Sequence, residues 1–361
     1  MTQPSESSEQ AYEHGGDIYT FAKEHGLSER AVIDFSSNIN PIGVSRKARA
    51  AIRKDIKRLQ FYPDNNTSRL KNAISKHYSI RPDTILCGNG STELIYLIPR
   101  AFKPDKVLIA SPTFSEYERA SSIAGSAVIT LGLKEDEDFN LNPEGFIDAL
   151  EDCDMAFLCN PNNPTGRLLR LEGTMRIIDG ADKKGVLLII DEAFIDLQSA
   201  HSVIAEAAQR DNLIVLRAFT KFFALAGLRV GYLVSNTAII ERLKAIKEPW
   251  TVNSLAQTAA VASLSDRAYF RETMEVIEAE KRYLLNELFR IKYIRVFPSD
   301  TNFFLLKTPP SLDVVTRLSG MGILVRDCSN FHGLDKGFIR IAIKRHEENV
   351  KLIKALKQIE V

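Results

Sequence analysis

The stretch "FTKFFALAGLRVGYLV", Phe219 to Val234, sets one lysine, Lys221, among aromatic and small apolar residues, with Arg229 eight positions further on. An ammonium in so apolar a run is costly unless it is exposed, paired or chemically neutralised, because desolvation disfavours the charged form. Held neutral, the same amine is a nucleophile and a base. Three other short stretches carry polar residues where an apolar strand should end. In "CGNGSTEL", glycines 88 and 90 allow close backbone approach, and Ser91 and Thr92 open a helix whose first N–H groups suit a phosphate; a capped strand-helix turn would read the same. In "CNPNNPTG" two prolines stiffen a loop that carries three amides, Asn160, Asn162 and Asn163, a pattern equally at home in simple turn chemistry. In "LLIIDEAFID", Asp191 follows an apolar run, where a carboxylate needs a cationic partner, within the fold or on a ligand.

The elements that must position these residues follow from hydrophobic pattern. Short apolar runs, "DTILC", "KVLIA", "SAVITL", "DMAFLC", "VLLIID", "NLIVLRAF" and "RVGYLV", are separated by helical segments such as "STELIYLIPRAF". Continuous runs of this length, alternating with helices, indicate a mostly parallel sheet covered on both faces, a doubly wound α/β domain. Ligands of such sheets bind beyond the carboxyl ends of the strands, where the four stretches fall. After "KEPWTVN" the rhythm changes to a long charge-patterned helix, the short strands "TNFFLL", "GILVRD" and "GFIRIAIK", and a last helix from about His346. We expect a large domain over 46–249, a smaller α+β domain over 250–361, and an N-terminal segment, 1–45, that packs with the small domain.

Composition narrows the partner. Lys and Arg total 47 against 46 Asp and Glu, so no net positive field favours nucleic acid or an anionic membrane. The four cysteines form no CxxC pair and the six histidines no HxxxH spacing, so neither a metal site nor a disulfide framework is expected. No apolar run approaches the roughly 20 residues of a membrane span, and "MTQPSESSEQ" has neither a basic nor an apolar region, which points to a cytoplasmic protein acting on a small molecule.

Together the four stretches supply an imine-forming lysine, an aspartate for a ring nitrogen, an asparagine for a phenolic oxygen and an Arg–Thr–helix set for a phosphate. That is the complement of pyridoxal 5'-phosphate. The order "GNGSTEL", "PTF", "NPNNPTG", "DEAF", "TKFFALAGLRVGY" and "FIRIAIK" resembles the fold-type I pyridoxal-phosphate enzymes, the aspartate aminotransferase superfamily, over nearly the whole chain, and within it the histidinol-phosphate aminotransferase branch. The resemblance implies that Lys221 carries the cofactor and moves protons, that Asp191 keeps the pyridine nitrogen protonated, and that Asn163 donates to the phenolic oxygen. It implies that Phe114 stacks on the ring and that Gly90, Ser91, Thr92, Thr220 and Arg229 surround the phosphate. Tyr62, in "FYPD", looks like a residue that reaches the site of a neighbouring subunit, implying a homodimer. Two positions depart from the aminotransferase pattern: Phe194 stands where tyrosine is usual, and Ala218 where many members have a hydroxyl.

"HGGD", "DFSSNINPIG", "DEAFID", "PWTVNSLAQ" and "LVRDCSNFHGL" are similar to the L-threonine-O-3-phosphate decarboxylase branch of cobalamin biosynthesis, which also reads "DEAF"; Asp17 replaces an expected Asn. That resemblance implies decarboxylation of a phosphorylated amino acid, with His14, Gly15, Asn38, Asn40 and Asn163 beside the substrate. Arg326 and Arg340 would hold its carboxylate through paired hydrogen bonds, although Arg326 could instead pair with neighbouring Asp327. His332 has a weaker claim, and His25, His77, His201 and His346 none. Phosphothreonine and phosphoserine differ by one methyl, worth about 1 to 3 kcal/mol in a fitted pocket. Histidinol-phosphate transamination is the rival reaction. A pyridoxal-phosphate-binding regulator without turnover is the rival class, disfavoured because no basic helix-turn-helix segment is appended.

Overall fold

The structure, a computed structural model, describes residues 14–359. Its strands are β1 Ile33–Asp34, β2 Ile85–Gly88, β3 Lys106–Ser111, β4 Ala127–Gly132, β5 Met155–Cys159, β6 Leu187–Asp191, β7 Leu213–Ala218, β8 Gly231–Val234, β9 Arg295–Val296, β10 Phe303–Lys307, β11 Ile323–Leu324, β12 Arg326–Asp327 and β13 Phe338–Ala342. Seven form one sheet in the order β2-β8-β7-β6-β5-β3-β4. All its pairings are parallel except those of β8, which runs against both β2 and β7. β2, β5, β6, β7 and β8 are buried along their full length, as expected of strands covered on both faces, while β4 is a half-exposed edge.

The reversed strand matters for the site. β2, β3, β5, β6 and β7 all end on one edge of the sheet, and β8 begins there. The chain following Gly88, Ser111, Cys159, Asp191 and Ala218 therefore meets Arg229, just ahead of β8, on a single edge.

A second sheet, β12-β13-β10-β9, is antiparallel and buries Phe304, Leu306, Ile339 and Ile341 against the helices Arg267–Leu288 and His346–Ile359. The described part of the N-terminal segment joins this core: β1 pairs in parallel with β11, Phe35 is buried there, and Ala342 N donates to Phe35 O at 2.8 Å. Two details differ from the sequence reading. "GILVRD" is not one strand but two, β11 and β12, because the chain leaves the β1 pairing at Val325 to join β13. The change of core near residue 250 also comes later. Helix Ser254–Leu264 packs on helices Arg46–Asp55 and Ser68–Tyr78, with Ala256, Ala259 and Ala260 in the large core. The crossing occurs within helix Arg267–Leu288, where Tyr269 belongs to the large core and Ile277, Leu284 and Leu288 to the small one. Among the described residues, no helix is long and apolar enough to cross a membrane.

Beneath the site edge lies a buried ion cluster that the apolar pattern of "NLIVLRAF" conceals. Arg217 of β7, 3% exposed, pairs with Glu192 at 3.1 Å and Asp196 at 2.5 Å and donates to Tyr78 Oη at 2.9 Å. Glu192 also accepts from Ser202 Oγ and Val203 N, which fastens the segment after β6 to β7. Arg217→Met would strand two buried carboxylates. It should cost about 3–5 kcal/mol of stability in a denaturant titration. A loss below about 1 kcal/mol would contradict this reading of the cluster.

Candidate active site

Helix Gly90–Phe102 begins directly after β2, and its first turn lies against the approach to β8. Gly90 has φ +77°, and a Cβ there would sit 2.6 Å from Arg229 Nη2; a Cβ on Gly231 would sit 2.5 Å from Ser91 N. Arg229 itself is left-handed, φ 55°, and donates to Ala226 O at 3.3 Å. Among the described residues it has no carboxylate partner, and the hydroxyls of Ser91, Thr92 and Thr220 make no hydrogen bond. A guanidinium held against a helix N-terminus with three uncommitted hydroxyls nearby fits an anion. Glu93, which sequence reasoning missed, secures this turn: it accepts from Asn89 N and pairs with Lys247 at 3.0 Å.

Next to the cradle, Asp191 at the end of β6 is 3% exposed. Its oxygens accept from Tyr117 Oη at 2.8 Å and Ala193 N at 2.9 Å, and it makes no ion pair among the described residues. Burial pushes its carboxyl up, against these two bonds and the cations Lys221 and Arg217. A cationic ring nitrogen would relieve that burial. Tyr117 is a second residue the sequence reading passed over; its signal was a phenol three places after Phe114 in "SPTFSEY". It stacks on Phe157 at 5.0 Å and meets Phe114 edge-on at 5.6 Å. Of the three amides of "CNPNNPTG", two are turn chemistry: Asn162 donates to Pro112 O and Thr165 Oγ1 and accepts from Thr113, and Asn160 donates to Leu169 O at 2.9 Å. Asn163 is different. Its Oδ1 accepts from Arg340 Nη1, drawing the loop toward the small sheet.

Lys221 follows β7 in a part-buried pocket, its Nζ 5.6 Å from the Phe194 ring and without a hydrogen bond or ion pair among the described residues. Burial, and then the guanidiniums of Arg340 and Arg229, lower its ammonium pKa from 10.5 to about 8, against weaker attraction from Asp34 and Asp191. Phe194 and Ala218 pack with Ala193 and Phe303, so neither departure from the aminotransferase pattern brings a hydroxyl to the amine. Asn40, expected beside a substrate, serves this turn instead. Its N donates to Lys221 O at 3.1 Å, and its Nδ2 lies 2.8–2.9 Å from Phe222 O, Tyr269 Oη and Thr273 Oγ1. Those bonds consume its amide, so the expectation of a substrate contact is corrected to a structural one.

The opposite wall comes from the small sheet. Arg326 and Arg340 are directly opposed partners of β12 and β13, 8% and 6% exposed. Arg340 donates to Ser36 O at 2.7 Å and to Asn163, while its buried Nε has no partner. Burial, with Arg326 adding to it, brings its guanidinium down to about 10. Arg326 donates to the main-chain carbonyl of Asp327 and to Asn330 Oδ1, the latter at 2.8 Å. Asn38, 1% exposed, has both side-chain polar atoms unsatisfied. Buried orphan donors and acceptors of this kind call for a polar ligand.

His14 Nε2 lies 2.9 Å from Glu116 Oε1, with its ring 5.8 Å from that of Phe114. Gly15 passes so near Ser36 that a Cβ would meet its carbonyl oxygen at 2.3 Å. Asp17 caps helix Ile18–Glu24 by accepting from Thr20 N at 3.0 Å, work that an asparagine does equally well. His332 is exposed on the loop after β12. Tyr62 is 83% exposed, and its ring meets Trp250 at 5.1 Å. Gly90→Ala tests the anion cradle. It should weaken pyridoxal 5'-phosphate binding tenfold or more, about 1.4 kcal/mol, in a spectral titration of a variant with unchanged circular dichroism; unchanged affinity would contradict the cradle.

Residues 30–356 match the family described as aminotransferase class I and II. The chain is 35% identical over 351 residues to the threonine-phosphate decarboxylase of Salmonella typhimurium, covering 96% of each chain. It is 40% identical over 305 residues to the histidinol-phosphate aminotransferase of Caldanaerobacter subterraneus subsp. tengcongensis, covering 83% of this chain and 85% of that one. The crystal structure of the histidinol-phosphate aminotransferase from Clostridium acetobutylicum superposes with a TM-score of 0.85 at 35% identity, over 91% of this chain and 99% of the other. With its α/β fold, anion cradle, buried aspartate and apolar lysine, the chain belongs to the aminotransferase class I and II family of fold-type I enzymes, and its cofactor is pyridoxal 5'-phosphate.

Proposed function

We propose that the chain decarboxylates O-phospho-L-threonine, releasing carbon dioxide and (R)-1-aminopropan-2-yl phosphate for cobalamin biosynthesis, with O-phospho-L-serine as a close variant substrate. The observation that carries this reading is the Arg326–Arg340 pair. Like charges directly opposed on neighbouring strands repel, and the pair becomes favourable when anions lie against it. The substrate carboxylate, held by both guanidiniums, provides that negative charge. The orphaned Arg340 Nε and Asn38 amide supply further contacts, Gly15 lies against the Ser36 carbonyl that accepts from Arg340, and the His14 ring lies 5.8 Å from that of Phe114.

The cofactor, when bound, supplies an electron sink for the pair left on Cα as the C–C bond to the carboxylate breaks. The protein's part is placement and proton handling. Gly90, Ser91, Thr92, Thr220 and Arg229 would hold the cofactor phosphate, Asp191 would keep the ring nitrogen protonated, Asn163 would bond the phenolic oxygen and Phe114 would cover the ring face. Arg340 and Arg326 would hold and orient the departing carboxylate, and Lys221, whose amine burial brings to a pKa of about 8, would return a proton to Cα. Tyr62, exposed in the single chain, completes the cofactor site of a second copy in a homodimer.

Histidinol-phosphate transamination is the second reading, favoured by relatives of that name at comparable identity. It uses the same cofactor residues; its phosphorylated substrate lacks the carboxylate, which its second substrate, 2-oxoglutarate, carries. Purified holoenzyme offered O-phosphothreonine, O-phosphoserine, or histidinol phosphate with 2-oxoglutarate should release carbon dioxide from the first two and form no glutamate. Glutamate without carbon dioxide would establish the second reading. Neither product would leave a binding protein without turnover.

A further inference from the structure

We propose that Glu116 is a positioning residue that sets the His14 imidazole at the substrate end of the site, and that this pair discriminates phosphorylated from unphosphorylated amino acids. The inference rests on the reading above only in that the substrate carries a phosphate. Glu116 opens helix Glu116–Ile123 and is 5% exposed, and its two oxygens are divided between two partners. Oε1 takes His14 Nε2 at 2.9 Å and Oε2 takes the Tyr96 hydroxyl. The bond from His14 is the first cause, and that from Tyr96 a further one, that holds the carboxyl below its usual range despite burial.

A carboxylate only accepts, so the contact fixes Nε2 as the protonated nitrogen of His14 and orients the ring, as a second carboxylate orients a catalytic or metal-binding histidine. The imidazole side chain stays 46% exposed while its partner is buried, so the bond adds little to the core and much to the ring's direction. The following residues are anchored on the opposite side. Gly16 N donates to Ser36 Oγ at 2.7 Å, and Gly15 lies against the same Ser36 carbonyl that accepts from Arg340 Nη2. The segment therefore runs from Glu116, beside Phe114, to the main-chain atom that holds the substrate arginine. Tyr96 ties the arrangement to the helix whose first turn forms the anion cradle.

The test compares holoenzymes of wild type, His14→Ala, Glu116→Gln, the double variant and Tyr96→Phe, with KM and kcat for O-phosphothreonine and the inhibition constant for unphosphorylated L-threonine. Glu116→Gln should raise KM about tenfold while kcat and the L-threonine constant change less than about twofold, and Tyr96→Phe should do the same more weakly. The double variant should be no worse than His14→Ala, because Glu116 acts through the histidine. Additive losses, or an equal rise in the KM and the L-threonine constant, would overturn the proposal. So would a Tyr96→Phe enzyme identical to wild type, which also decides the matter if Glu116→Gln does not fold. If wild type does not turn over O-phosphothreonine, that reading fails separately; inhibition by inorganic phosphate, measured across the same variants during histidinol-phosphate turnover, then decides for Glu116 by the same pattern.

Discussion

An amine partly withdrawn from water, with two guanidiniums among its charged neighbours, is poorly tolerated as an ammonium, and the arrangement of this protein follows from that constraint. Lys221 has an aromatic face at Phe194, small apolar neighbours at Ala193 and Ala218, and Arg340 and Arg229 as its principal charged neighbours. Asp191 and Asp34 temper the effect without forming an ion pair with it. The result is an amine poised to react with an aldehyde and to exchange a proton near neutrality.

Holding such a group requires support from both cores. β7 delivers the lysine turn to the sheet edge, and Asn40, from the N-terminal segment, pins that turn to Tyr269 and Thr273 of the helix where the two cores meet. Arg340 binds Asn163 of the large unit from a strand of the small sheet, so a cation that adds to burial in depressing the lysine also fastens the two walls together. Beneath them the Arg217 cluster joins the ends of β6 and β7, the strands that carry Asp191 and Lys221. The charges needed for chemistry are thus fixed by charges that serve the fold.

Much of this was legible in the sequence because strand ends carry their own punctuation. Apolar runs ending in glycine, asparagine, aspartate or threonine gave the sheet, its functional edge, and the lysine and aspartate on it. What was not legible depends on register or on distant pairing. The opposition of Arg326 and Arg340 requires knowing that "GILVRD" breaks at Val325, which no local pattern discloses. Asn38 and Asn40 read alike in "SSNINP", yet one is left with an unsatisfied amide and the other is consumed by bonds to residues more than 180 positions away. Nothing in "SPTFSEY" marks where Glu116 or Tyr117 points; only the fold turns one toward His14 and the other toward Asp191. Helix Ser254–Leu264, rich in small residues and weakly patterned, likewise gives no local sign that the large core receives it.

The state of the Lys221 amine in the protein freed of its cofactor tests this account most directly. The neutral amine is the reactive form, so its fraction, and with it the initial rate of pyridoxal 5'-phosphate uptake, should rise with pH through the depressed pKa. Borohydride trapping followed by peptide mapping, across about pH 6 to 11, should locate the adduct on Lys221 with a midpoint at about 8. A midpoint near the ordinary lysine value of about 10.4, or trapping on another lysine, would contradict it.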